Sequence, residues 1–300
     1  MPLLLEAKAL TKHYGVTIAL DSVDFSVPPG ITGLLGPNGA GKSTAIKLFL
    51  GLIRPTSGSA ELMGVKPYDS LEIRERLGYM PEHDCLPRSV TASEFLSHMA
   101  QVSGLPPSEA RTRAADTLRH VGLDEERYRP ISEYSTGMKQ RVKLAQAIVH
   151  DPVIVFLDEP TAGLDPGGRE EMLVLIRRIG RDFGISVILS SHLMGDVERT
   201  CDQIIVLENG RLVEEGAVSG FTEESQTIVI EVDDRREELT TALAEQGMAP
   251  RVEGHSVLVE VEREEQYDTI RDAIVKAKVR LRRMAPRRKR LTDIFKDPSK

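Results

Sequence analysis

Residues 31–44 read ITGLLGPNGAGKST: an apolar run, a glycine-rich loop, then the start of a helical pattern over Ser43–Leu52. Gly36, Pro37, Asn38, Gly39, Ala40, Gly41, Lys42 and Ser43 match GxxxxGK[ST] in the strand-to-helix setting the motif needs. The chemistry explains the residue types. A polyphosphate must approach several backbone N–H groups closely, so side chains are excluded where the loop curls. The helix beginning near Ser43 adds its positive end. Lys42 would reach the β- and γ-phosphates, the Ser43 hydroxyl would ligate Mg²⁺, and Thr44 would donate to the α-phosphate.

Working outward, the preceding residues alternate as strands at Leu3–Leu10 and Val23–Val27, with a Pro28-Pro29-Gly30 turn before Ile31–Leu35. Arg54–Gly58 reads as a break, and Arg74–Pro81 leads into a short strand. Ser89 to about His150 reads as helices at Thr91–Gln101, Ser108–Val121 and Met138–Val149. Val153–Leu157, VIVFL, is a continuous apolar strand of the kind buried on both faces, and it ends in Asp158-Glu159. A helix (Arg169–Arg181), a strand (Ser186–Ser190), a helix (Met194–Cys201) and a strand (Gln203–Leu207) follow. Strands alternating with helices predict a mostly parallel sheet, and the Asn209-Gly210 turn adds an antiparallel hairpin. A carboxylate pair at a strand end also fits a helix cap or a solvated turn. After a phosphate loop, however, Asp158 reads as a Mg²⁺ holder acting through water and Glu159 as a general base.

Composition bounds the function. The chain has 300 residues, 40% apolar and 28% charged, with no Trp. With 39 basic and 46 acidic side chains the net charge is −7, which disfavours a strongly basic nucleic-acid binder. Cys85 and Cys201, far apart, exclude a disulfide scaffold or a thiolate zinc site and fit a reducing cytosol. No apolar run approaches the roughly 20 residues of a membrane span, and MPLLLEAKAL has no basic leader region. Any action at a membrane therefore needs another chain to cross it.

Residues 1–220 resemble the nucleotide-binding domain of ABC transporters. The carriers are GPNGAGKST (36–44), YSTGMKQR (134–141), VIVFLDEPTAGLD (153–165) and SSH (190–192). The resemblance implies an α/β P-loop NTPase core with an antiparallel β subdomain and a helical signature subdomain over about 82–150. It implies that Ser135 and Gly137 bind the γ-phosphate of ATP held by a second subunit and that Asp165 lies between the two sites. It also implies that His192 contacts the γ-phosphate and that Tyr14 stacks on adenine. Two motifs depart from the family pattern: in the signature Thr136 and Met138 stand where Gly and Gln are usual, and Glu82 stands where a glutamine is usual. Glu82 can coordinate Mg²⁺ or order water but cannot donate an N–H bond. Both departures resemble ATPase subunits of two-component exporters. The implied protein is a cytoplasmic ATPase, peripheral on the inner face of the cell membrane. Its expected ligands are ATP and Mg²⁺, and its expected partners are a second copy or a homologous ATPase subunit and a membrane permease, with no nucleic acid. The alternative is a non-transport ABC ATPase acting on ribosomes or DNA.

From about residue 221 the pattern resets. Strand, helix, two strands, helix and strand follow in the βαββαβ order of a ferredoxin-like α+β domain, with a terminal helix expected at Leu291–Lys296. Residues 222–272 carry 5 basic and 15 acidic side chains, whereas residues 273–300 carry 11 basic and 2 acidic. Three readings of this asymmetry stand at this point: pairing within the domain, contact with the partner ATPase or permease, and contact with anionic lipid.

Overall fold

The computed structural model describes residues 3–222, 224–254, 256–261, 263 and 265–288. The helix expected at Leu291–Lys296 lies outside them. The chain divides into two compact units between Val218 and Ser219.

In the first unit, β1 (Leu5–Tyr14) and β2 (Thr17–Val27) form a hairpin, and β3 (Ile31–Leu35) delivers the chain to α1 (Lys42–Phe49). Then come β4 (Ser57–Leu62), α2 (Leu71–Glu75), β5 (Leu77–Met80), α3 (Ala92–Val102), α4 (Pro107–His120) and α5 (Thr136–Ile148). The unit continues through β6 (Ile154–Leu157), α6 (Pro166–Asp182), β7 (Ser186–Ser191), α7 (Met194–Thr200), β8 (Gln203–Glu208) and β9 (Arg211–Ala217), and α8 (Val218–Thr222) follows at the boundary.

A six-stranded sheet runs β5-β6-β7-β3-β8-β9, parallel through β8 and closed by the antiparallel β8–β9 hairpin. Its β3, β6 and β7 are buried at every residue, β6 as an unbroken apolar run and β3 and β7 with Thr32, Ser186, Ser190 and Ser191 buried beside their apolar residues. A second, antiparallel sheet runs β2-β1-β4. Phe49 of α1 joins the two: its ring centroid lies 5.8 Å from Phe25 of β2 and 6.5 Å from Phe156 of β6. The surrounding core includes Leu10, Leu34, Ile46, Ile188 and Ile205.

The hairpin reaches further than the alternation of Leu3–Leu10 indicates, because register shifts after Ala7 and Leu10 break the period while pairing continues to Tyr14 and Thr17. The strand β4 replaces part of the expected break. Its Ser-Gly-Ser start has poor strand propensity, and pairing with β1 overrides it. Gly58, at φ 73°, makes that pairing possible: a Cβ there would sit 2.1 Å from the Ala9 carbonyl oxygen.

The helices α3, α4 and α5 bury small apolar stripes: Ala92, Leu96 and Ala100 on α3, Ala110, Ala114 and Leu118 on α4, and Val142, Leu144 and Ala145 on α5. Thr91 and Glu94 close a capping box at the start of α3.

The second unit comprises β10 (Glu224–Val232), α9 (Arg236–Glu245), β11 (Arg251–Glu253), β12 (Ser256–Glu260), α10 (Glu265–Ala277) and β13 (Leu281–Arg288). Its sheet order β11-β12-β10-β13, antiparallel throughout, is ferredoxin-like. Its own core holds Ile228, Ile230, Leu239, Leu243, Val257, Val259 and Ile270.

Candidate nucleotide-binding site

The strands β6, β7 and β3 are neighbours in the sheet, so their C-terminal ends lie side by side, where open α/β sheets place ligands. From β3 comes the glycine loop, from β6 Asp158 and Glu159, and from β7 Ser190, Ser191 and His192.

The loop turns into α1 through Gly41, which caps the helix at φ 103° with no side-chain hydrogen bond to the first turn. A Cβ on Gly41 would lie 2.5 Å from the Ala19 carbonyl oxygen, so any other residue would push the loop off β2. No acidic side chain stands in the first turn of α1, leaving its N–H groups for an anion. Lys42 is buried; its Nζ donates to the Gly36 carbonyl at 2.7 Å and the Pro37 carbonyl at 3.2 Å. The same ammonium lies 3.7 Å from Glu159 Oε1, an ion-pair distance that leaves Oε1 without a hydrogen-bond partner.

Asp158 Oδ1 accepts from Ser190 Oγ at 2.7 Å and from Ser43 Oγ at 3.3 Å. The Glu159 N–H donates to the same Ser190 Oγ at 2.9 Å. Glu159 holds φ 49°, a left-handed conformation that a non-glycine residue adopts only under constraint. His192 Nδ1 lies 3.0 Å from Glu159 Oε2. Two residues beyond Glu159, Thr161 Oγ1 donates to Asp196 Oδ2 at 3.1 Å, with both side chains buried. The strand β5 adds Tyr79, whose phenol is pushed up to about 12 by burial and by the nearby Asp158.

These groups open onto a cleft of about 400 Å³ lined by Asn38–Thr44, Glu82, Glu159, Ala162 and His192. Its remaining wall is Thr17, Ile18 and Ala19. Tyr14 is not part of that lining; it is half exposed near the hairpin tip, with Lys12 Nζ 5.2 Å from its ring centroid. Ser135, Gly137 and Asp165 are elsewhere. They line a separate depression of about 680 Å³ that shares no lining residue with the Lys42 cleft. There Ser135 caps α5, its Oγ accepting from the Met138 N–H at 3.3 Å, and Gly137 falls inside the first turn. Asp165 precedes α6.

Residues 20–162 match the family profile described as ABC transporter. An uncharacterized ABC transporter ATP-binding protein, YxlF of Bacillus subtilis, is 37% identical over 227 residues, 75% of each chain. The chain belongs to the ABC transporter family. It is similar to the bacitracin transport ATP-binding protein BcrA of Bacillus licheniformis, with 37% identity over 72% of this chain and 70% of that one. Among solved structures it is similar to a dimeric post-hydrolysis state of the ATP-binding cassette MJ0796 bound to ADP and Pi. The TM-score there is 0.66 at 25% identity, covering 73% of this chain and all of the other. The α/β ABC-type fold is shared, and this ABC protein is an ATP-binding, ATP-hydrolysing subunit.

Four buried residues around the ABC site carry no assignment from motif reading alone. Ser190 is buried beneath both acids, and Asp196 holds Thr161. Gln140 Nε2 donates to the Ala162 carbonyl at 3.1 Å, and Lys143 Nζ to the Glu82 carbonyl at 2.8 Å. Burial pushes the Lys143 ammonium pKa down, against the pull of Cys85 and of the carboxylates of Asp84, Glu82 and Asp158. Their partners lie 22 to 61 residues away in sequence, beyond any local pattern.

Proposed function

We propose that this ABC ATPase closes head-to-tail with a second copy, or with a homologous subunit, around two ATP molecules and thereby drives a separate membrane permease. One observation carries the reading: Ser135 and Gly137 line a depression apart from the Lys42 cleft of the same chain. Two surfaces each suited to an anion, one at the α1 N-terminus and one at the α5 N-terminus, are then each half of a site.

Within each composite site the roles follow from the distances. The N–H groups of the glycine loop and the third Lys42 donor hold the β- and γ-phosphates. Glu159 takes a proton from a water as its oxygen attacks the γ-phosphorus, and the bond to ADP breaks on the opposite side. His192, at 3.0 Å, fixes which carboxylate oxygen of Glu159 faces that water. Ser190 holds Asp158 and the Glu159 backbone together, so the two acids move as one. Among the described residues no group of three metal-ligating side chains occurs. The oxygen set of Ser43 and Asp158, with Glu82 also lining the cleft, still suits Mg²⁺, which typically takes one or two carboxylates and completes its shell with phosphate and water. When bound, that ion would offset phosphate charge.

Among the described residues no helix is long and apolar enough to cross a membrane, so a permease chain would do so. Docking on it would place this chain at the inner membrane face. Export is the direction suggested by the exporter-like departures at Thr136, Met138 and Glu82.

Mixing inactive Lys42→Ala chains with inactive Ser135→Arg chains tests the arrangement. One composite site in each mixed dimer keeps both elements, so ATP-dependent dimerisation returns in part. Absence of rescue under conditions where mixed dimers demonstrably form contradicts the head-to-tail reading.

A further inference from the structure

Two buried polar side chains on α5 have no part in the chemistry above. Gln140 and Lys143, one helical turn apart, are 7% and 3% exposed. Fully buried lysines are rare, and an apolar residue would serve packing at either position without the desolvation cost. Each donates instead to a backbone carbonyl: Gln140 to Ala162 and Lys143 to Glu82. Glu82 and Ala162 belong to different segments, and both line the Lys42 cleft. At its other end the same helix begins with Thr136 and Gly137, which with the Ser135 cap line the second depression.

We propose that Gln140 and Lys143 are positioning residues that couple the two depressions of one chain. Nucleotide entering the Lys42 cleft shifts the segments carrying Glu82 and Ala162. Two hydrogen bonds, one of them charge-assisted, hand that shift to α5. A continuous helix of 13 residues moves as a rigid strut, so its N-terminal turn, where Ser135 and Gly137 await the partner's nucleotide, moves with it. The donors are directional, and an apolar contact at the same places would let the segments slide. This inference rests on the proposed composite site for its meaning, but the coupling itself lies within one chain.

Amide hydrogen exchange on the full-length chain tests it, with Glu159→Gln as the parent to prevent turnover and at a dilution where ATP does not dimerise it. In the parent, saturating ATP is expected to change exchange over residues 136–139 by about fivefold, the lower end of ordinary coupling energies. In the Gln140→Leu/Lys143→Met variant, a fluorescent ATP analogue should bind within about twofold of the parent while that change disappears. Lys143→Arg alone, which keeps a charged donor, should retain it. If the double variant does not fold, Gln140→Leu and Lys143→Met taken singly give the same readout at partial size. An unchanged response in the variants overturns the inference, and so does an absent response in an ATP-saturated parent. A parent that responds while the mixed-chain rescue fails supports the coupling and removes only the head-to-tail arrangement.

Discussion

Glu159 combines a left-handed backbone, an unpartnered Oε1 and a histidine at 3.0 Å from Oε2. Its carboxylate is oriented by His192 at Oε2, while Oε1 faces the Lys42 ammonium at 3.7 Å and keeps its hydrogen-bonding capacity free for a water proton. Glu159→Gln keeps the shape and removes the base, so turnover should fall by about 10²-fold or more while ATP affinity holds. The variant should accumulate as an ATP-bound dimer, visible by size-exclusion chromatography. Near-normal turnover would assign the base elsewhere. Ser190 gives a second prediction at this scale. Its hydroxyl is fully buried, donates to Asp158 and accepts from the Glu159 N–H, so Ser190→Ala orphans the Glu159 N–H and leaves Asp158 Oδ1 with only the longer bond from Ser43. Stability should drop by about 1–3 kcal/mol, read from the shift in denaturant midpoint. Turnover should drop as well, because both acids lose their anchor. The contrast between Glu159 and Ser190 is physical. Asp158-Glu159 is legible in sequence because it ends an apolar run. Ser190 is one serine beside another, and only pairing of β6 with β7 brings its hydroxyl under the acids.

At the scale of elements, the chain is readable where burial imposes a period and obscure where tertiary pairing overrides one. The strands β3, β6 and β7 announce themselves as apolar runs, and α1 follows from the glycine loop. The stretch Ser57–Leu62 carries turn-forming residues and becomes a strand only because β1 needs a partner. Likewise, α5 starts at Thr136, two residues before its apolar period begins, because Ser135 caps it. The far end of α5 has its own anchor. His150, just beyond Ile148, places Nε2 2.9 Å from the Leu77 carbonyl of β5. Burial pushes the His150 pKa down, the carbonyl and Asp151 offsetting only part of that shift. The unfolded chain therefore takes up this proton at a higher pH than the folded chain does. Stability due to His150 is complete above the ordinary imidazole range and declines as pH falls through it toward the depressed folded value. On going from about pH 7.5 to pH 5.5, the melting temperature should fall less in His150→Gln, which keeps an N–H donor, than in the wild type. Equal falls in both would show that His150 is not a source of acid sensitivity.

The whole molecule poses the question of what the second unit contributes. Its βαββαβ order is legible because strands of period two alternate with helices of longer period, and its sheet order then follows from two crossovers. Its role is not legible in that way, since the sequence of residues 222–300 shows no phosphate-loop motif and no recognisable catalytic motif. Every group lining the Lys42 cleft lies between Thr17 and His192, within the first unit. It folds around its own core, with Leu239 and Leu243 of α9 and Ile270 of α10 among the residues packed with the β10 and β12 side chains. Its charge is divided, 15 acidic side chains in residues 222–272 and 11 basic ones in 273–300, a pattern suited to contacts with other chains. A chain ending at Thr222, after α8, should therefore bind ATP with unchanged affinity and melt as a cooperative unit. Its ATP-dependent dimerisation, or its capture by the permease in detergent, should weaken, and raised salt should narrow the difference from the full chain if the charges carry the contact. Lost ATP binding in a truncated chain that still melts cooperatively would mean that the second unit completes the nucleotide site. Unchanged dimerisation and unchanged permease capture would instead remove it from assembly altogether.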